Sequence, residues 1–522
     1  MRRRMGLVAV LAMVFALLPM GAASAGSEAC DTRVNNTIDK LLECVTVDGV
    51  REHQAAFQAA ADANGGTRAS GTPGYDASAD YVVDRMEAAG YDVAQLFFDF
   101  GFFEETGPSS FDQASPVATS YVDQTDYDVM TFSGSGSTGT IDFVGVDLAL
   151  GMAPWPADPS TSTSGCEASD FTSPPAASVV GKIAVLQRGA CNFSDKAINA
   201  EAAGAVGVVV FNQGNDPSRL GVVFGTLGGP VGTIPVVGTT FAIGKDLATS
   251  SATGQITTST TSETRTTSNI IAQSKKGDSS NVVMAGAHLD SVSSGPGIQD
   301  NGSGSAALLE VAEQMAKVKP TNQVRFAWWG AEELGLVGSI DYIVGLSNEE
   351  HANIALYLNF DMIGSPNFVR FVYDGDNSDG GNTIFVPPES AVIEQLFLDY
   401  YASQGLPNQG TLLGQRSDHF AFCVTGIPCG GLFTGAEGIK TADEAALYGG
   451  TAGDQYDPCY HTACDTFANV SLEVLDQNSD TVAFTILTFA MNTESVNGEP
   501  GKGNFKPQNQ LKALAPWGTS SE

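Results

Sequence analysis

The chain has 522 residues, 43% of them hydrophobic and only 16% charged, with a formal net charge of −34. That length exceeds a single compact core and indicates two domains, and the sparse charge excludes a solvated disordered chain. With 25 basic against 59 acidic residues, the surface repels phosphate backbones and anionic lipid; nucleic acid and membrane are excluded as partners, whereas bound cations suit it.

In chain order, Arg2, Arg3 and Arg4 form a basic start, residues 6–20 an apolar run, and Ala23-Ser24-Ala25 a small-residue cleavage pattern. This predicts a signal peptide over residues 1–25 and a secreted, extracellular protein, since the run is shorter than the ~20 residues a membrane span needs. The eight cysteines then face an oxidising compartment, where an even count favours disulfides. They fall in four sequence-local pairs, and the expected bonds are Cys30–Cys44, Cys166–Cys191, Cys423–Cys429 and Cys459–Cys464.

Residues 50–99 carry helical periodicity, broken at Gly71-Thr72-Pro73-Gly74, with a long helix expected over 77–89 that stops at Gly90. From 115 to 253 the texture changes to Gly, Ser, Thr, Pro and Val, with strands expected at 182–186 and 206–211 and one helix at 196–203. This is a small β-rich module. From Thr267 the texture is α/β: strands at 269–272, 281–285, 324–329 and 354–360 alternate with helices such as 304–318 and 336–346. The expected fold class is α/β, a mostly parallel mixed sheet with helices on both faces. The N-terminal helix is expected on that same sheet, which makes the module an insertion. The division is then 1–25 signal peptide, 26–114 and 254–497 one α/β domain, 115–253 the inserted module, and 498–522 a polar tail.

Residue types that bind metals recur at the ends of these strands. His288 follows the 281–285 strand, where a ring nitrogen reaches the carboxyl edge of the sheet, and Asp290 can accept from its other ring N–H. Asp300 opens the next helix and has a short carboxylate able to bridge two cations. Glu332 and Glu333 follow Trp328-Trp329-Gly330, Asp361 follows Leu358-Asn359-Phe360, and His461 sits between Cys459 and Cys464. Each position alone reads equally as a cap or a solvated side chain. Together they supply one His and one acid for each of two cations, plus one shared carboxylate.

At these residues the chain resembles the two-zinc secreted aminopeptidases of the bacterial leucyl aminopeptidase type. The likeness runs over about residues 265–490 and the segment Thr67-Arg68-Ala69-Ser70-Gly71-Thr72-Pro73-Gly74-Tyr75. Gly430 to Glu437 and Cys459-Tyr460-His461-Thr462-Ala463-Cys464-Asp465 are similar to the Streptomyces-type enzymes. The module, through Gly165-Cys166, Gln187-Arg188-Gly189 and Cys191-Asn192-Phe193, resembles a protease-associated domain.

The resemblance implies that His288 and Asp361 hold one Zn2+, Glu333 and His461 a second, and Asp300 bridges them. Glu332 is then the general base and Tyr460 the donor to the oxyanion. It further implies that Arg416 lines the substrate site, with a structural ion pair to Asp418 as the alternative. Met362 and Phe433 form an apolar pocket, and Asp476 with Asp480 hold Ca2+, with a solvated helix face as the alternative. His351 and His419 take no role. The implied activity is removal of apolar N-terminal residues such as Leu from peptides by a monomer, with peptide or protein N-termini as the partners. A two-metal carboxypeptidase on the same fold and a non-catalytic receptor-like homologue are the alternatives.

Overall fold

A computed structural model describes residues 30, 32–150, 162–172 and 178–500; the expected signal peptide and residues 501–522 of the expected tail lie outside the described residues. The first helices follow from their ends. Thr46 caps Val47–Ala63 by accepting from Gly49 N–H. Thr72 caps Pro73–Ala89 by accepting from Tyr75 N–H, Pro73 occupies the first turn, and Gly90 ends the helix at φ 95°. The Gly-Thr-Pro-Gly segment is therefore the start of this helix.

The helical expectation for residues 92–99 is wrong. Asp92–Glu105 is one long strand, paired antiparallel with Thr260–Gln273 along its whole length, from Asp92 opposite Gln273 to Glu105 opposite Thr260. Phe98, Phe100 and Phe102 alternate into a buried cluster. That period of two, together with the ladder offered by a partner far along the chain, overrides the local helical pattern.

The main sheet has eight strands, in the order Asp92–Glu105, Thr260–Gln273, Asn322–Trp329, Asp278–His288, Ile354–Phe360, Cys429–Phe433, Phe371–Tyr373 and Gln409–Thr411. The four strands from Asn322–Trp329 to Cys429–Phe433 run parallel, and antiparallel pairings flank them. Alternate residues serve opposite faces. Val283, Ala285 and Ala287 pack with Phe326, Trp328, Leu356 and Leu358 under residues from the helices Val47–Ala63, Pro73–Ala89, Gly302–Met315 and Leu472–Met491. Met284, Trp329 and Tyr357 face the other way, against Tyr342, Ile343, Ala421 and Phe422. The carboxyl ends of Asp278–His288, Asn322–Trp329 and Ile354–Phe360 thus open side by side.

Between the long paired strands the chain forms a second, nine-stranded sheet. Its parallel centre, Ile141–Gly145, Ile183–Gln187, Gly207–Phe211 and Val236–Thr239, has a core on each face. The helix Phe193–Ala202 contributes to one core and Phe241–Thr249 to the other. All four expected disulfides are formed.

Candidate metal centre

Five ligand-type side chains converge at the carboxyl edge of the parallel strands. His288 ends its strand and is 1% exposed. Its Nε2 lies 3.2 Å from Asp300 Oδ1 and 3.2 Å from Asp361 Oδ1. His461 Nε2 lies 3.2 Å from Asp300 Oδ2 and 3.0 Å from Glu333 Oε2. The two oxygens of Asp300 are therefore divided between two imidazoles. Ligand atoms in a tetrahedral site with bonds of about 2.0 Å stand roughly 3.3 Å apart, and these separations match that edge. Glu332 Oε2 sits further out, 4.0 Å from His288 Nε2.

Four carboxylates face only two imidazoles, and Glu333 Oε1 is buried with no hydrogen-bond partner. Burial pushes Glu332 up and takes Glu333 up to about 8, helped by Asp300. Burial also works to raise Asp300, but hydrogen bonds from His288 and His461 outweigh it and hold the group below its ordinary range. For His461 burial opposes the charge, yet Asp300 and Glu333 raise it to about 10. This imbalance of negative charge, with donors of His nitrogen and carboxylate oxygen, fits two divalent cations.

The backbone delivers these groups through left-handed residues. Ala331 before Glu332, Met362 after Asp361, and His461 itself have φ of 54°, 52° and 57°. Such conformations cost energy in residues with a Cβ and persist where surrounding contacts enforce them. His461 lies in the loop closed by the Cys459–Cys464 disulfide. Tyr460 stacks on the His461 ring at 3.8 Å, and its hydroxyl accepts from Arg416 Nη2 at 3.3 Å.

Asp290 meets His288 through its backbone and, at longer range, through its carboxylate. His288 Nδ1 meets the backbone oxygen of Asp290 at 3.1 Å, while its carboxylate Oδ1 stands at 3.6 Å and accepts instead from Glu332 N–H at 3.2 Å. After the strand the chain is irregular, and the carbonyl of Asp290 comes nearer the ring than its side chain does. Asp290 thereby ties the His288 strand end to the turn that carries Glu332. Arg416 forms an ion pair with Glu437, Nη1 to Oε1 at 2.7 Å, rather than with Asp418, and it lines the cavity. Met362 and Phe433 line the same cavity of about 210 Å3, together with Tyr373, Leu412 and His419. His419, given no role from sequence, is buried, and its Nε2 donates to Gly414 O at 3.0 Å.

Two further side chains support the centre and carried no assignment in the sequence. Ser417 Oγ donates to Asp361 Oδ2 at 2.6 Å and accepts from Asn359 Nδ2 at 2.8 Å. Asp465 accepts from Gln299 N–H at 2.8 Å and Asp300 N–H at 2.9 Å. Both lie beside residues singled out in the sequence, Ser417 next to Arg416 and Asp465 next to Cys464, and that adjacency was the available signal. Asp476 and Asp480 stand one turn apart on Leu472–Met491, and burial with the Asp476 charge takes Asp480 up to about 7. Among the described residues no third His, Cys, Asp or Glu joins them in a cluster of three donors.

The sequence matches the model of peptidase family M28 over residues 269–486 and that of the PA domain over 148–247. An aminopeptidase of Pseudomonas aeruginosa is 45% identical over 472 residues, covering 90% of this chain and 86% of the relative. Leucine aminopeptidase 2 of Trichophyton rubrum is 44% identical over 351 residues, 66% of this chain and 69% of the relative. Among solved structures, BSAP, a zinc aminopeptidase from Bacillus subtilis, superposes with a TM-score of 0.53 at 24% identity, over 88% of this chain and 99% of that one.

Proposed function

The chain belongs to peptidase family M28 and is a metallo-exopeptidase with an inserted PA domain, and from that premise we propose that it is a secreted aminopeptidase working with two zinc ions. The observation that carries the reading is the division of Asp300 between His288 and His461 at 3.2 Å each. His288 and Asp361 would hold one ion, Glu333 and His461 the other, and Asp300 both. The bound pair supplies a lowered pKa for the attacking water and polarisation of the scissile carbonyl.

The protein's own residues do the rest. Glu332, raised by burial and lining the cavity, takes the proton of the attacking water and passes it to the leaving amine. The Tyr460 hydroxyl donates to the oxyanion as the carbonyl becomes tetrahedral, and Arg416 holds that hydroxyl from behind. Met362 and Phe433 present an apolar wall to the first side chain of the substrate, which supports a preference for residues such as Leu. Peptide N-termini are the substrates, and a monomer suffices.

The carboxypeptidase alternative needs a free cation for a terminal carboxylate. Arg416 is engaged by Glu437 through two hydrogen bonds of 2.7 and 3.0 Å, and this disfavours it. Four disulfides and the N-terminal cleavage pattern support secretion. No helix of the described residues is long and apolar enough to cross a membrane. The module at 115–253 divides the peptidase segments 26–114 and 254–497 in this reading.

The test is hydrolysis of Leu-, Lys- and Glu-p-nitroanilides beside a peptide scissile only at its C-terminus, with elemental analysis before and after chelation. Two zinc equivalents and chelator-sensitive release of Leu are expected. Active, dialysed protein without transition metal, or release from the C-terminus, defeats the proposal.

A further inference from the structure

Arg68 is fully buried, yet its donors go to carbonyl oxygens rather than carboxylates. Nε donates to Pro296 O at 2.8 Å, Nη2 to Gly297 O at 2.5 Å and Nη1 to Leu289 O. The backbone N–H of Arg68 donates to Ser291 Oγ at 2.9 Å. All four acceptors belong to the irregular segment that joins His288, at the end of its strand, to Asp300. Neighbours reach the same segment: Thr67 Oγ1 donates to Val292 O at 2.9 Å and Gln54 Nε2 to Ile298 O at 3.0 Å.

Burial lowers the guanidinium to about 10, and the charges of Asp290, Asp465 and Asp300 act against that. A buried cation is costly unless carbonyl dipoles and nearby anions compensate it, and here both do. A planar fork reaches carbonyls of residues 289, 296 and 297 from three separate nitrogens in fixed directions, whereas the three donors of an ammonium all leave one atom.

We propose that Arg68 is a positioning residue of this centre: its guanidinium fixes the path of residues 289–297, and so holds Asp300 where both His288 and His461 reach it. The inference rests on the two-metal reading above.

The test compares full-length wild type with Arg68→Gln and Arg68→Lys. Four quantities are read: zinc affinity by chelator competition, the visible absorption of cobalt-loaded protein, kcat and KM separately, and the melting temperature. Arg68→Gln is expected to bind metal about 10–100-fold more weakly, to alter the cobalt bands, and to lose kcat while KM stays within about 3-fold. Arg68→Lys restores charge and part of the metal affinity, but not kcat. A folded Arg68→Gln with wild-type metal affinity, cobalt spectrum and kcat overturns the proposal, whatever its melting temperature. If Arg68→Gln does not fold, Arg68→Lys decides, and wild-type values for all three overturn it. Wild type that binds no metal defeats the two-metal reading; wild type that binds two equivalents beside variants with the same affinity, cobalt spectrum and kcat defeats only the role of Arg68.

Discussion

Replacing Glu332 by Gln removes a charge and a proton acceptor while changing almost nothing in shape. Glu332 Oε2 stands 4.0 Å from His288 Nε2, outside the 3.0–3.2 Å separations that link the five candidate ligands. Its backbone N–H keeps its bond to Asp290 Oδ1, so the turn should hold. Metal content should therefore stay at the wild-type level. Turnover should not: loss of a general base costs about 10²–10⁴ in rate, or roughly 2.7–5.4 kcal/mol at 1.36 kcal/mol per decade. KM should change little, because the amide still fills the cavity wall. Glu333→Gln is the matched control. Glu333 Oε2 lies 3.0 Å from His461 Nε2, and losing its charge should weaken metal binding first and activity as a consequence. Hydrolysis of Leu-p-nitroanilide with elemental analysis of the same samples separates the two. Equal loss of metal in both variants would refute the assignment of base and ligand.

Ser417→Ala removes the 2.6 Å hydrogen bond to Asp361 Oδ2, and metal affinity should fall about 10-fold in chelator competition; unchanged affinity would show that Asp361 needs no such support. Cys459→Ser with Cys464→Ser opens a loop of sequence separation 5, worth roughly 2 kcal/mol of chain entropy against roughly 3.5 for the Cys166–Cys191 loop of separation 25. The double variant should lose zinc affinity and turnover while keeping its fold by circular dichroism, and intact zinc binding would count against the idea that the ring holds His461. Because Glu105 lies opposite Thr260, a short turn can replace residues 106–259. That variant should still bind two metals and change mainly in substrate-size preference or stability; a folded deletion protein without metal would contradict this.

The candidate ligands were legible before any coordinates because each is a local event. His288, Glu332, Glu333 and Asp361 end or closely follow apolar strand-forming runs, and His461 lies in a short cysteine-bounded loop. The alternation of strands and helices from residue 267 onward was equally local and yielded the parallel sheet. Where local pattern met a distant partner, sequence reasoning failed: residues 92–99 look helical until Thr260–Gln273 pairs with them.

Most of the supporting contacts were of that second kind. His288 Nδ1 stands nearer the carbonyl of Asp290 than its carboxylate, and the sequence does not choose between two acceptors on one residue. That Arg416 pairs with Glu437, Ser417 with Asp361, and Asp465 with the amides of Gln299 and Asp300 depends on loops brought together from separate parts of the chain. Which donor types stand at the strand ends, before the Gly302–Met315 helix and inside the Cys459–Cys464 loop is written in the sequence. The hydrogen bonds around these groups join residues up to 229 positions apart, as between Arg68 and Gly297, and only the packed tertiary structure decides which donor reaches which acceptor.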